Sequence, residues 1–123
     1  MKSNEPTIPL QVSRGCVIAS IQIDLTDEVL NAFRKDLLSQ VRDIGARGVI
    51  LDVSGVEVMD VDDFDGLRKT MEMARVMGAR PVLSGLRAGV VAALIDLGAM
   101  VDGVEAAINL DDAFRLVGSP GGD

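Results

Sequence analysis

Histidine, tyrosine and tryptophan are missing from this 123-residue sequence, and cysteine occurs once, as Cys16. Without histidine the chain lacks the side chain most used for proton transfer at neutral pH and the commonest transition-metal ligand. A single cysteine forbids an intramolecular disulfide, which fits a reducing compartment; inside the apolar run CVIASI it reads as a small buried hydrophobe. Three phenylalanines are the only aromatics, so the core must be aliphatic, built from Val, Leu, Ile, Ala and Met. Apolar runs are short: none approaches the ~18 residues of a membrane span, and MKSNEPTIP carries no apolar signal core. A soluble, cytoplasmic domain is the expectation.

Basic residues are also few. Twelve Lys and Arg stand against nineteen Asp and Glu, a net charge of −7. Phosphate backbones and anionic membrane surfaces are bound by clustered cations, so neither nucleic acid nor membrane is an expected partner. Phosphate-binding signatures are absent, since neither G-x-G-x-x-G nor G-x-x-x-x-G-K-[ST] occurs. GLRAG, residues 85–89, is at most a weak anion-binding turn before a helix.

What remains is an alternation of strand and helix signals in one domain. Residues 8–13 and 16–22 read as strands joined at Arg14-Gly15. Leu30, Phe33, Leu37, Val41 and Ile44 recur at helical spacing, with Asp24 or Thr26 able to cap the start and Gly45 the end. Residues 48–53 form a continuously apolar strand of the kind buried on both faces of a parallel sheet. A helix over 61–77 follows, with Phe64, Leu67, Met71 and Ala74 on one stripe and Met73 and Met77 as near-core packing. ARPVLSG is a third interior strand and RAGVVAALIDLG a shorter helix. A brief strand and a final helix capped near Asn109 complete the pattern. The order predicts an α/β fold, a mixed, mostly parallel sheet of four to five strands with about four helices on it. Flexible ends are expected at 1–6 and 118–123, around a domain spanning 7–117.

One stretch stands out. VMDVDDFDG places Asp60, Asp62, Asp63 and Asp65 within six positions at the start of a helix, after a strand end, where open α/β sheets carry their functional loops. Catalysis is poorly supported: Ser54 and Ser84 are the nearby nucleophiles and no base can be assigned to them. The segment also lacks the twelve-residue spacing and closing glutamate of a calcium loop. A receiver domain is excluded by the lack of an acidic pair after the first strand and of a late lysine. Acidic side chains do favour the positive end of a helix, and Asp60 with Asp63 three residues on imitates a capping box.

GVILDVSGVEVMD, FDGLRKTMEMARVMGA, RPVLSGL and LIDLG, in this order and spacing, resemble the STAS domain family, and within it the RsbS-type proteins of the bacterial stressosome. IPL at the start and ASIQIDLTDE before the first helix extend the likeness over residues 7–117. The resemblance implies a SpoIIAA-like fold, no enzymatic activity, no cofactor and no metal. In the family a kinase phosphorylates a hydroxyl that follows an aspartate at this helix start. Asp60 matches the aspartate, but the acceptor position falls on Val61, which no kinase can modify. A second family acceptor site, in the helix after SGLRAG, has no Ser or Thr here.

The resemblance therefore implies a scaffold not switched by phosphorylation at residue 61, with Asp62 and Asp63 supplying permanent charge beside it. Ser54 is the possible alternative phosphorylation site, and Thr70 another hydroxyl to weigh. Implied partners are RsbR-like STAS proteins and an RsbT-like serine/threonine kinase, together with a homo-oligomer or dimer. They would dock on Met59, Asp60, Val61, Asp62, Asp63, Ser84, Gly85 and Arg87, with Met59 and Val61 giving exposed apolar contact inside a charged rim. Two alternatives stay open: a simple anti-anti-sigma factor that binds an anti-sigma kinase, and a small-ligand or nucleotide binder using GLRAG.

Overall fold

The second and third strands begin where the hydrophobic pattern predicts, at Cys16 and Gly48, whereas the first starts at Leu10 rather than residue 8. In the computed structural model, residues 7–118 are described. They form β1 (Leu10–Ser13), β2 (Cys16–Ser20), α1 (Asp27–Ile44), β3 (Gly48–Asp52), α2 (Val61–Val76), β4 (Arg80–Ser84), α3 (Ala88–Asp96), β5 (Ala106–Ala107) and α4 (Leu110–Val117). The expected flexible ends lie outside the described residues, apart from Gly118.

The spatial order is the sequence order, β1-β2-β3-β4-β5. β1 and β2 pair antiparallel through Ser13 and Cys16, so the turn is two residues long. Arg14 and Gly15 both have positive φ (55° and 76°), the left-handed pair that a tight hairpin between twisted strands requires. The helices α1, α2 and α3 link β2 through β5, and those strands pair in parallel. β3 lies in the middle and is buried from Gly48 to Leu51, which explains its unbroken apolar sequence.

Alternation along these strands splits the core in two. Val17, Ala19, Ile21, Val49, Leu51, Val53 and Leu83 face a large cluster beneath α1, α2 and α3. Cys16, Ile18, Ile50 and Val82 face the opposite side, where they cluster with Ala107 of β5 and with Ala113 and Val117 of α4. Cys16 is fully buried, and burial pushes its thiol pKa up.

The helix boundaries follow from their caps. Thr26, not Asp24, caps α1: its Oγ1 accepts the Val29 N–H at 3.2 Å. Gly45 ends that helix in the left-handed conformation. The buried stripe of α1 is Val29, Phe33, Leu37 and Val41, whereas Ile44, predicted to share it, is 44% exposed on the last turn. Met71 is buried in α2, but Met73 and Met77, expected near the core, are exposed. Asn109 caps α4 by accepting the Asp112 N–H at 2.9 Å.

Candidate functional site

The loop between β3 and α2 is set by local hydrogen bonds before it meets anything else. Val53 N–H donates to the Ser84 carbonyl at 2.9 Å, extending the β3–β4 pairing by one residue. Asp52 Oδ1 accepts the Ser54 N–H at 3.0 Å, and Val56 N–H turns back onto the Val53 carbonyl. The chain then enters α2 through Asp60, whose extended backbone and side chain make it the N-cap: Oδ1 accepts the Asp63 N–H at 2.7 Å. That bond satisfies an amide which the helix itself cannot pair.

The four aspartates therefore have separate surroundings. Asp60 caps the helix. Asp65 binds Arg68 at 2.6 Å and Lys69 at 3.2 Å on the same helix, and those cations hold its carboxyl below the usual range. Asp62 is exposed. Asp63 turns inward, half-buried, where desolvation first and the Asp60 charge second raise its pKa, with the Asp60 backbone N–H working against them.

Two expectations are corrected here. Met59 does not flank the loop as an exposed contact: it is only 5% exposed and belongs to the main core. It stands one residue before the cap, while Phe64 stands at the fourth helical position. Both are buried in that cluster, the arrangement by which a hydrophobic staple fixes how the chain enters a helix. Ser84 is likewise no surface contact, being 1% exposed at the end of β4. Val61 is half-buried against the main core, with its helix-start position facing the rim in part.

The remaining predicted residues surround this loop. Gly85 has φ +80°, and a Cβ there would come within 2.7 Å of the Ser54 Cβ, so glycine is required for the two loops to touch. Arg87 is exposed and ties the same loops together, donating to the Ser54 carbonyl at 3.3 Å with Glu57 3.9 Å away. The Gly85 N–H donates to the Ala107 carbonyl at 2.9 Å, so GLRAG does not hold that amide free for a phosphate. Ser54 is exposed. Thr70 is fully buried, donating to the Gly66 carbonyl and accepting from Arg34 Nε, both at 2.9 Å, which takes its hydroxyl out of reach of a kinase.

Sequence reasoning missed the other half of the site. The segment between β2 and α1, Ile21 to Leu25, packs beside Gly55 to Met59 and Asp63 around a cleft of about 230 Å³. Ile21, Ile23, Leu25, Val56, Val58 and Met59 make its walls apolar, and Asp24, Glu57 and Asp63 supply its charge. Val58 stands 86% exposed at the mouth. The signal was QIDLTDE, an apolar–acidic alternation that runs on past the end of a buried strand.

The fold and this loop can be placed among known proteins. The sequence profile of the STAS domain matches residues 7–113. The chain belongs to the STAS domain family. No curated protein sequence matches the chain. Among solved structures it is similar to RsbS of Moorella thermoacetica carrying a serine-to-glutamate substitution, with a TM-score of 0.76 and 23% identity over 89% of this chain and 93% of that one. A chain from the molecular architecture of the stressosome gives 0.77 and 24%, over 89% and 95%. A putative anti-sigma factor antagonist from Thermotoga maritima gives 0.73 and 18%, over 91% and 95%. At these identities the likeness is one of fold, and the five-stranded sheet with four helices is the STAS fold. Among the described residues no helix is long and apolar enough to cross a membrane.

Proposed function

We propose that this STAS domain is a non-enzymatic interaction module, an RsbS-like scaffold of a stressosome-type complex in the cytoplasm. It docks RsbR-like STAS proteins and sequesters an RsbT-like switch kinase. The observation that carries this reading is the start of α2. Asp60 caps the helix, yet the next position holds Val61, and carboxylates at 62 and 63 stand where a phosphoryl group would add charge. The docking face is Asp60 to Asp63 with Gly85 and Arg87, joined by the acidic cleft of Ile21 to Leu25 and Val58. An apolar floor within a carboxylate rim suits a partner segment that offers an aliphatic anchor beside basic residues. The surviving structural supports for it are the fold shared with RsbS and stressosome chains and the absence of any hydroxyl at residue 61.

Two measurements test it. Incubated with an RsbT-like kinase and ATP, the chain takes no label, whereas Val61→Ser is labelled at residue 61. Stoichiometric label on the unmodified chain at Ser54 would end the unswitched reading. Light scattering after mixing with an RsbR-like protein gives a large mixed assembly. A 1:1 complex with an anti-sigma kinase, and no assembly with the STAS partner, would favour the simple anti-anti-sigma role instead.

A further inference from the structure

A second pocket opens on the opposite side of the sheet, where α4 stops short of the strand ends. Ser20, Asp52, Ser84 and Ala107 are register partners across β2, β3, β4 and β5, so they form one row. The preceding residues on that face, Ile18, Ile50 and Val82, are covered by α4. The row itself lies beyond the α4 N-terminus. Asp52, Ser54, Ser84, Gly85 and Asn109 to Asp111, with exposed Ile108, enclose a space of about 400 Å³ there.

The chemistry of the lining is specific. Ser84 borders this space from two residues beyond Val82 on the α4 face; it is 1% exposed, and its Oγ, buried just behind the pocket wall, finds no hydrogen-bond partner in the protein. A buried hydroxyl without a partner costs free energy, so a ligand that pairs it gains what the free protein lacks. Asp52 uses Oδ1 for the Ser54 N–H, and among the described residues no cation pairs with its carboxylate. Asp111 adds a second carboxylate from the first turn of α4. The N-terminus of α4 is not free for an anion, since Asn109 caps it and Asp111 and Asp112 fill its first turn. Negative charge, a buried oxygen and a pocket open at one side select a cation with several hydrogen-bond donors. A guanidinium matches a carboxylate in two parallel bonds and keeps further N–H groups for a hydroxyl.

We propose that this pocket is a binding site for a guanidinium group, with Asp52 as the ion-pairing partner and Ser84 Oγ as the acceptor that orients it. The group arrives either on a free small molecule or on an arginine side chain of a partner protein. The site borders the proposed docking face at Ser54 and Gly85, but Asp52 and Ser84 lie on the α4 side of the sheet, away from Val61.

Amide chemical-shift titrations of the full chain test it, with agmatine and a blocked Gly-Arg-Gly peptide as probes and cadaverine and inorganic phosphate as comparators. Saturable shifts at Ser54, Ser84, Gly85 and Asn109 to Asp111 are expected with the guanidinium probes. Asp52→Asn, whose side chain still accepts the Ser54 N–H, weakens them about tenfold in Kd. Ser84→Ala weakens them about threefold while the melting temperature holds, and Val61→Ser leaves them unchanged. Tighter binding of agmatine than of the peptide assigns a free ligand, and the reverse assigns a partner's arginine. Equal binding of cadaverine, a response to phosphate at the same residues, or shifts that survive Asp52→Asn would each overturn the proposal.

Discussion

The two faces of the sheet are filled unequally. One is covered by three helices and closes over Val17, Ala19, Val49, Leu51 and Leu83; the other is covered by the eight residues of α4. Hydrophobic burial scales with apolar area removed from water, so the first face carries most of the stability. The second leaves its strand ends uncovered, and there the sequence changes from Ile18, Ile50 and Val82 to Ser20, Asp52 and Ser84. The crowded side thus holds the fold and frames the acidic cleft beside α2. The sparse side is where a polar pocket can exist at all.

Neighbouring residues of β3 sharpen this contrast, because Ile50 and Leu51 are both fully buried but point to opposite faces. Leu51→Ala is expected to cost about 3–5 kcal/mol, since helices on one side and strands on the other keep the cavity open. Ile50→Ala should cost less, about 2–3 kcal/mol, because a short helix can settle toward the gap. Urea unfolding of both variants measures the difference, and an equal or larger loss for Ile50→Ala would break the comparison.

Gly48 probes the thin face from the other direction. A Cβ there would clash with both methyl groups of Val117 in α4, one of them at 2.9 Å, and would stand 3.1 Å from the Cys16 sulfur. Val117 is short and stiff at χ1, so the helix must move. Gly48→Ala should destabilise by about 1–3 kcal/mol, and adding Val117→Ala should recover part of it. Faster amide exchange confined to α4 would show that the cost falls on that face. Uniform loss across α1 and α2 would mean that the two cores are not separable.

Much of this arrangement was legible in the sequence, for reasons that differ by element. β3 announced itself by an apolar run, and α1 by its period and by Gly45. Asp60 was legible as a cap because capping chemistry is local. Met59 and Ser84 were misread as surface contacts because their burial is decided by what arrives from elsewhere: the α1–α2 side closes over Met59, and β3 and β5 flank Ser84. Pattern also overestimated Ile44 and Met77, at the C-terminal ends of α1 and α2, and Met73, which lies off the buried Met71–Ala74 stripe and faces outward. The cleft of Ile21 to Leu25 was missed because it forms between two loops that lie far apart along the chain.

Charge separates the regions as well, and with opposite sign. Glu105 sits beside the thin edge of the sheet, just before β5, where Arg80 grips both its oxygens at 2.8 and 2.7 Å. That hydrogen bonding, larger than the desolvation opposing it, lowers the Glu105 pKa. Its contribution is therefore complete above the ordinary glutamate value and is lost as pH falls through the lowered one. Asp63, in the acidic cleft of the thick face, has its pKa raised by desolvation and by Asp60. Its protonated form is favoured in the fold, so its contribution is present below the ordinary aspartate value and is lost as pH rises through the raised one. Glu105→Gln should cost about 1 kcal/mol at neutral pH, discounted for a pair about one-third exposed, and should flatten the acid limb of the stability curve. Asp63→Asn should have a smaller effect of the opposite sign, a gain of a few tenths of a kcal/mol near pH 7 that vanishes at low pH. Thermal melts of both variants between pH 3 and 8 measure this. If Asp63→Asn instead loses stability at neutral pH, the carboxylate is favoured by its bond to the Asp60 N–H over its burial. The thick face would then hold its negative charge without strain.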